Sequence, residues 1–239
     1  MDIQIAVSKI NKQVALESGD TLEAIERPSG GISVVLADGR GSGFEHKKVS
    51  SQVVQKVLVL IGEGTRDGVA AKVASDFLFE TYNGTKTAFL SILSVDLQSQ
   101  TITITSNNPV PVFVSQKDRV DCIGGQAVPI GSKLNITPAI TQIPLESGIT
   151  VIMYTDGLAK AGSGLGIPLD VCTLLESMIE DQDPSAQALA DTILAEGIRL
   201  DQSQPQDDMS IVVLRITAGK QDRIRRMVIQ WPVNGEEDL

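Results

Sequence analysis

Ser33-Val34-Val35-Leu36-Ala37-Asp38-Gly39-Arg40-Gly41-Ser42-Gly43 is the stretch around which the chain is organised. The apolar, β-branched run from Ile32 to Ala37 reads as a buried strand, and it stops at an aspartate inside a glycine-rich turn that feeds a long amphipathic segment. A carboxylate is therefore held at a strand end. Gly39, Gly41 and Gly43 let a ligand approach the main chain closely, so the turn can also offer carbonyls or amides to a metal or a phosphate.

Upstream, Ile3, Ile5 and Val7 alternate with polar neighbours as in a half-buried strand. Gln13-Val14-Ala15-Leu16 is expected to begin a second strand leading to Glu17-Ser18-Gly19-Asp20, with Asp20 closing a short turn. Downstream, Val49, Val53, Val57 and Ile61 recur every four residues and mark a core-facing helix, which Gly62-Glu63-Gly64 breaks. Val69, Val73 and Phe77 mark a second helix, ending near Tyr82-Asn83-Gly84.

The middle third is strand-like. Residues 87–97, 101–105, 110–115 and 119–123 are separated by polar turns and read as an antiparallel meander, followed by strands over 140–145 and 149–154. The last of these ends in Thr155-Asp156-Gly157-Leu158, so a second aspartate follows an apolar strand. Val171, Leu174, Leu175, Met178 and Ile179 have the spacing of a third helix, and Pro184 opens a fourth whose face holds Leu189, Ala190, Ile193 and Leu194. Gln206-Asp207-Asp208-Met209 then precedes a final strand over 210–216. Helices come in pairs rather than one per strand. That order predicts an α+β fold, a four-layer α/β/β/α sandwich of two mainly antiparallel sheets flanked by helix pairs.

The 239 residues, 42% of them apolar, suffice for one large core, and no linker-like break in composition occurs before residue 217. One domain over 1–217 with an extension over 218–239 is expected. The formal charge of -10 disfavours nucleic acid as a partner. No apolar run approaches the roughly 20 residues of a spanning helix, and no signal sequence precedes the first strand, which points to the cytoplasm rather than a membrane. Cys122 and Cys172 lack metal-knuckle spacing and read as reduced core residues. His46 reads as a solvated or capping residue, and a single histidine disfavours His-rich metal sites.

Asp20, Asp38, Asp156 and Asp207, with Asp208 beside it, all flank strands that should share one core. Converging carboxylates raise one another's pKa, and a divalent cation resolves the repulsion; all-oxygen ligands favour Mg2+ or Mn2+ over zinc. Singly, each aspartate is ordinary turn chemistry. A dinucleotide loop at Gly39-x-Gly41-x-Gly43 is disfavoured, because Phe44 stands where the third glycine is needed and Asp38 would repel phosphate.

Ser18-Gly19-Asp20, Ala37-Asp38-Gly39-Arg40-Gly41-Ser42-Gly43, Tyr154-Thr155-Asp156-Gly157-Leu158 and Gln206-Asp207-Asp208-Met209-Ser210, in that order, resemble the metal-dependent protein serine/threonine phosphatases of type 2C, the PPM family. The similarity is to the bacterial branch typified by the stage II sporulation protein E phosphatase domain, and Asn107 to Pro111 and Pro129 to Gly131 resemble that branch more loosely. The resemblance implies that Asp38 bridges two metals, that Gly39 (through its carbonyl) and Asp20 serve the second, and that Asp156 and Asp207 hold the first, with Asp208 behind them. Two ions roughly 3.5–4 Å apart activate a shared water for direct attack on phosphorus. Phosphoserine or phosphothreonine on a protein is the implied substrate, in stress or sporulation signalling, and an anti-sigma-factor antagonist is one such partner. Arg40 stands where eukaryotic relatives usually carry a histidine, and is the candidate phosphate contact. Rival readings are a partner-binding module that keeps the fold without catalysis, and hydrolysis of a small phosphate ester.

Beyond residue 217 the resemblance stops. The basic-then-apolar stretch from Lys220 to Pro232, holding Trp231, reads as an extra strand or tail packed on its own domain, with docking or dimerisation as the alternative. The glycine-rich segment over 155–169 reads as either an ordered flap or a mobile substrate loop.

Overall fold

A computed structural model describes residues 1–13, 17–40, 44–116, 119–124, 127–181, 183–219 and 224–232. The chain runs β1 (Asp2–Ile10), β2 (Asp20–Glu26), β3 (Gly31–Arg40), α1 (Phe44–Gly62), α2 (Asp67–Tyr82), β4 (Thr87–Asp96), β5 (Thr101–Ser106), β6 (Val112–Gln116) and β7 (Arg119–Ile123). It continues through β8 (Ala139–Pro144), β9 (Thr150–Tyr154), a short helix α3 (Asp156–Lys160), α4 (Val171–Asp181), α5 (Ala186–Leu200) and β10 (Met209–Thr217). One sheet has the order β1-β10-β9-β6-β7 and the other β2-β3-β4-β5-β8, with antiparallel pairing throughout.

Period-2 alternation on buried strands makes the four layers. Along β3, Val34 and Leu36 enter the core between the sheets with Leu93, Ile104, Val151, Met153 and Leu214, whereas Val35 and Ala37 face Val53, Val57 and Ala70 of α1 and α2. Along β10, Val212 and Leu214 face between the sheets, while Ile211 and Val213 meet Leu175 of α4 and Leu189 and Ile193 of α5. The expected α/β/β/α sandwich is the fold observed.

Four expectations are corrected. Asp20 does not close a turn but opens β2, a strand the pattern hid because its residues Glu23, Ala24 and Glu26 are exposed on a sheet edge. The strand expected over 13–16 falls mostly on residues outside those described. The middle strands are not one meander: β4–β5 and β8 belong to one sheet, β6–β7 and β9 to the other, so the chain crosses the sandwich repeatedly. Cys122 is exposed and Cys172 half-buried, both as free thiols, rather than core residues. Residues 224–232 form no added strand; Met227, Val228, Ile229 and Trp231 are exposed, and Arg225 reaches Glu26 at 2.6 Å.

Leu93→Ala, which empties a site between the sheets, is expected to cost about 2–4 kcal/mol in urea unfolding. Val59→Ala, on the exposed side of α1, is expected to stay within about 0.5 kcal/mol.

Candidate metal centre

Two strand ends and two turns meet at one pole of the sandwich. Asp20 opens β2 and lies directly opposite Asp38 near the end of β3. Asp38 shares the inward face of β3 with Val34 and Leu36, so the same alternation that fills the core delivers its carboxylate between the sheets. From the other sheet, β9 runs into Thr155 and Asp156, while Asp207 and Asp208 lead into β10. The Thr155 amide donates to the Ser210 carbonyl at 3.0 Å, which brings these two turns together.

Close backbone approach explains the glycine after each of two aspartates. A Cβ on Gly39 would lie 2.3 Å from the His46 carbonyl oxygen, and one on Gly157 would lie 2.2 Å from that of Asp208. Any side chain at either place would push α1 away from β3, or α3 away from the turn that carries Asp207.

The charges interact strongly. Burial, then the negative charges of Asp20, Asp156 and Asp207, and a hydrogen bond with Asp156 push Asp38 up to about 8. Asp20 is pushed up to about 7 by burial, against hydrogen bonds from Ser210 and Thr155 that favour its ionised form. Ser210 Oγ donates to Asp20 Oδ2 at 2.6 Å and Thr155 Oγ1 at 3.1 Å. Cations ring the acids. Lys160 Nζ lies 2.6 Å from Asp156 Oδ2. Lys9 and Lys47 both donate to the Asp20 carbonyl, at 3.2 and 2.9 Å, and burial followed by the Lys47 charge lowers the pKa of Lys9.

Both oxygens of Asp208 are taken up by main-chain amides. Its Oδ1 accepts from the Lys12 amide at 2.9 Å and its Oδ2 from the Gly19 amide at 2.7 Å, so the carboxylate straps the segment before β2 to the start of β10. Arg40 is exposed beyond Asp38 on the same face of β3, with its guanidinium carbon 4.8 Å above the ring of Phe89, the register partner of Asp38. Gly41 and Gly43 lie outside the described residues. His46 is buried, not solvated: it packs beside Gly19 and its Nε2 has no hydrogen-bond partner. Thr155, Ser210, Lys9 and Lys47 were not singled out from the sequence; only the alternation of Lys9 on β1 and the place of the hydroxyls beside the acidic turns hint at them.

Among the described residues, no three acidic, histidine or cysteine side chains already close into a coordination cage. The donor chemistry nevertheless suits a hard divalent cation. Asp20, Asp38, Asp156 and Asp207 are an all-oxygen set whose charges, after burial, hold the Asp38 carboxyl up at about 8.

A profile for stage II sporulation protein E matches residues 28–217. The stage II sporulation protein E of Priestia megaterium is 23% identical over 214 residues, covering 90% of this chain but only 36% of that protein, so the chain spans about a third of its relative's length. The PP2C phosphatase domain of SpoIIE from Bacillus subtilis, solved with a fragment of its regulatory domain, superposes with a TM-score of 0.78 at 21% identity, covering 90% of this chain and 64% of that one. The catalytic domain of the serine/threonine phosphatase PstP, solved with two manganese ions, gives a TM-score of 0.70 at 12% identity over 90% of this chain and 98% of that one.

In the metal-free protein, the raised pKa of Asp38 stabilises the fold fully below its ordinary 3.8, and that contribution is lost as pH rises through about 8. Melting in EDTA is therefore expected to fall more steeply between pH 5 and 8 for the wild type than for Asp38→Asn. Mn2+ should raise the wild-type Tm more at pH 8 than at pH 5; equal slopes in the two proteins would contradict the assignment.

Proposed function

Because the chain belongs to the stage II sporulation protein E family, we propose that it is a metal-dependent protein phosphatase that removes phosphate from phosphoserine or phosphothreonine. The observation that carries this reading is the convergence of Asp20, Asp38, Asp156 and Asp207 from both sheets on one pole, with Asp38 pushed up to about 8 by burial and then by the charges of the other three. The fold shared with PP2C phosphatase domains supports it.

In this reading Asp38, Asp156 and Asp207, with the Gly39 carbonyl and Asp20, hold Mn2+ or Mg2+. Two such ions would polarise the phosphoryl group and make water a nucleophile near neutral pH, so no covalent enzyme intermediate is needed. The protein's own residues orient and balance charge. Asp208 anchors the segment entering β2, and Lys9 and Lys47 fix the Asp20 main chain. Lys160 offsets the charge of Asp156 until an ion does so. Arg40, at the rim of the Asp38 face, meets the incoming phosphoryl oxygens, for which its fork of donors is suited. The domain that does this spans residues 1–217. A phosphoprotein switch, such as a phosphorylated anti-sigma-factor antagonist, is the proposed substrate. A cytoplasmic site of action agrees with the absence, among the described residues, of a helix long and apolar enough to cross a membrane.

Phosphate release from a phosphoserine peptide tests this reading in EDTA, Mg2+ and Mn2+. Turnover is expected only with a metal and should fall at least about 100-fold in Asp38→Ala and Asp156→Ala. Arg40→Ala should raise KM or lower kcat several-fold; unchanged values would remove its role. A folded wild type that turns over neither peptide nor phosphoprotein with any metal would favour a binding module.

A further inference from the structure

Asp20 is the acid in the least secure position. It opens an edge strand, with no partner strand outside it among the described residues, and its register partner is another carboxylate, Asp38. Like charges directly opposite on neighbouring strands push apart, and strand ends at a sheet edge are prone to fray. Yet Asp20 is 1% exposed. Lys9 and Lys47 grip its main chain but leave the carboxylate free to turn.

The carboxylate itself is held from the opposite sheet. Ser210 Oγ and Thr155 Oγ1 both donate to one oxygen, Oδ2. The two hydroxyl-bearing residues are locked to each other: the Ser210 amide donates to Thr155 Oγ1 at 3.0 Å and the Thr155 amide to the Ser210 carbonyl at 3.0 Å. Both side chains are buried, so water does not replace them. Thr155 directly precedes Asp156, and Ser210 follows Asp207 by three residues. The clip therefore ties Asp20 to the same turns that present the other two acids.

We infer that Thr155 and Ser210 are positioning residues that fix Asp20 across the two sheets, so that its remaining oxygen is aimed at the ion on the Asp20 side of the centre. This rests on the metal-centre reading proposed above. Hydrogen-bonded partners behind a ligand hold its orientation, and their loss typically weakens metal affinity by about 10–100-fold. The effect should fall on the ion that Asp20 serves and spare the ion held by Asp156 and Asp207.

Mn2+ binding to the full chain, followed by the electron paramagnetic resonance signal of free Mn2+, measures affinity without turnover. Ser210→Ala and Thr155→Val are each expected to weaken one bound ion about tenfold or more and leave another within about twofold. Ser210→Thr, which keeps the hydroxyl, should restore the affinity. Melting in EDTA checks that the variants fold; should one not fold, the other hydroxyl is tested by its own variant. Affinities within about twofold of wild type in a folded Ser210→Ala or Thr155→Val protein would overturn the inference while leaving the metal centre intact. A wild type that binds no Mn2+ would overturn both.

Discussion

Gathering several carboxylates, Asp20 buried and Asp38, Asp156 and Asp207 half-buried, is the constraint on which the rest of this structure depends. The fold gathers them at the one end of the sandwich where β3 and β10 begin or finish, and no single element carries more than two. Each device around them answers the repulsion in a different way. Gly39 and Gly157 let main chain approach where a side chain would hold the turns apart. Hydroxyls from Ser210 and Thr155 favour the ionised form of Asp20, Lys9 and Lys47 place positive charge beside its main chain, and Lys160 does so beside Asp156. These measures leave Asp38 at about 8, so near neutral pH the balance is met by a proton on that carboxyl, the place a cation would take in the proposed centre.

The elements legible in the sequence are those whose environment is the same along their length. β3 and β10 are apolar on both faces because each lies between a sheet and a helix layer, and α1 and α5 carry one continuous apolar face. β2 was not legible. As an edge strand it shows solvent Glu23 and Glu26, and Ser18-Gly19-Asp20 has the chemistry of a turn. The meander failed for another reason: alternation tells which residues of a strand are buried, not which of two stacked sheets the strand joins. Hence β5 and β6, adjacent in sequence, part company.

The meeting of the acids was legible from their joint placement, because Asp38, Asp156 and Asp207 each stand where an apolar strand starts or stops. Their supports were not. Ser210 looks like any polar residue entering a strand, and Thr155 like an ordinary residue before a helix; only the pairing of β9 with β10 reveals that both hydroxyls meet Asp20. His46 was misjudged because two lysines follow it, yet the close contact of its carbonyl with Gly39 draws it inward.

Precision at the acidic pole is secured partly from the far end of the same strands. Arg27, leaving β2, donates to Ser33 at 2.8 Å and Ser94 at 3.2 Å, on β3 and β4, and pairs with Asp67 at the start of α2 at 2.7 Å. Arg215, near the end of β10, donates to Thr150 on β9 at 3.1 Å and reaches Asp183 before α5 at 2.8 Å. These arginines, Arg215 buried and Arg27 half-buried, pin strand to strand and sheet to helix away from the acidic pole. Register is what they protect. A one-residue slip of β3 would turn Asp38 from the space between the sheets into the apolar layer of Val53 and Val57, and bring Gly39 to where a carboxylate is needed. The repulsion among the acids acts along this same strand, so a polar anchor five residues away, at Ser33, lets the site carry unpaired charge without losing its geometry.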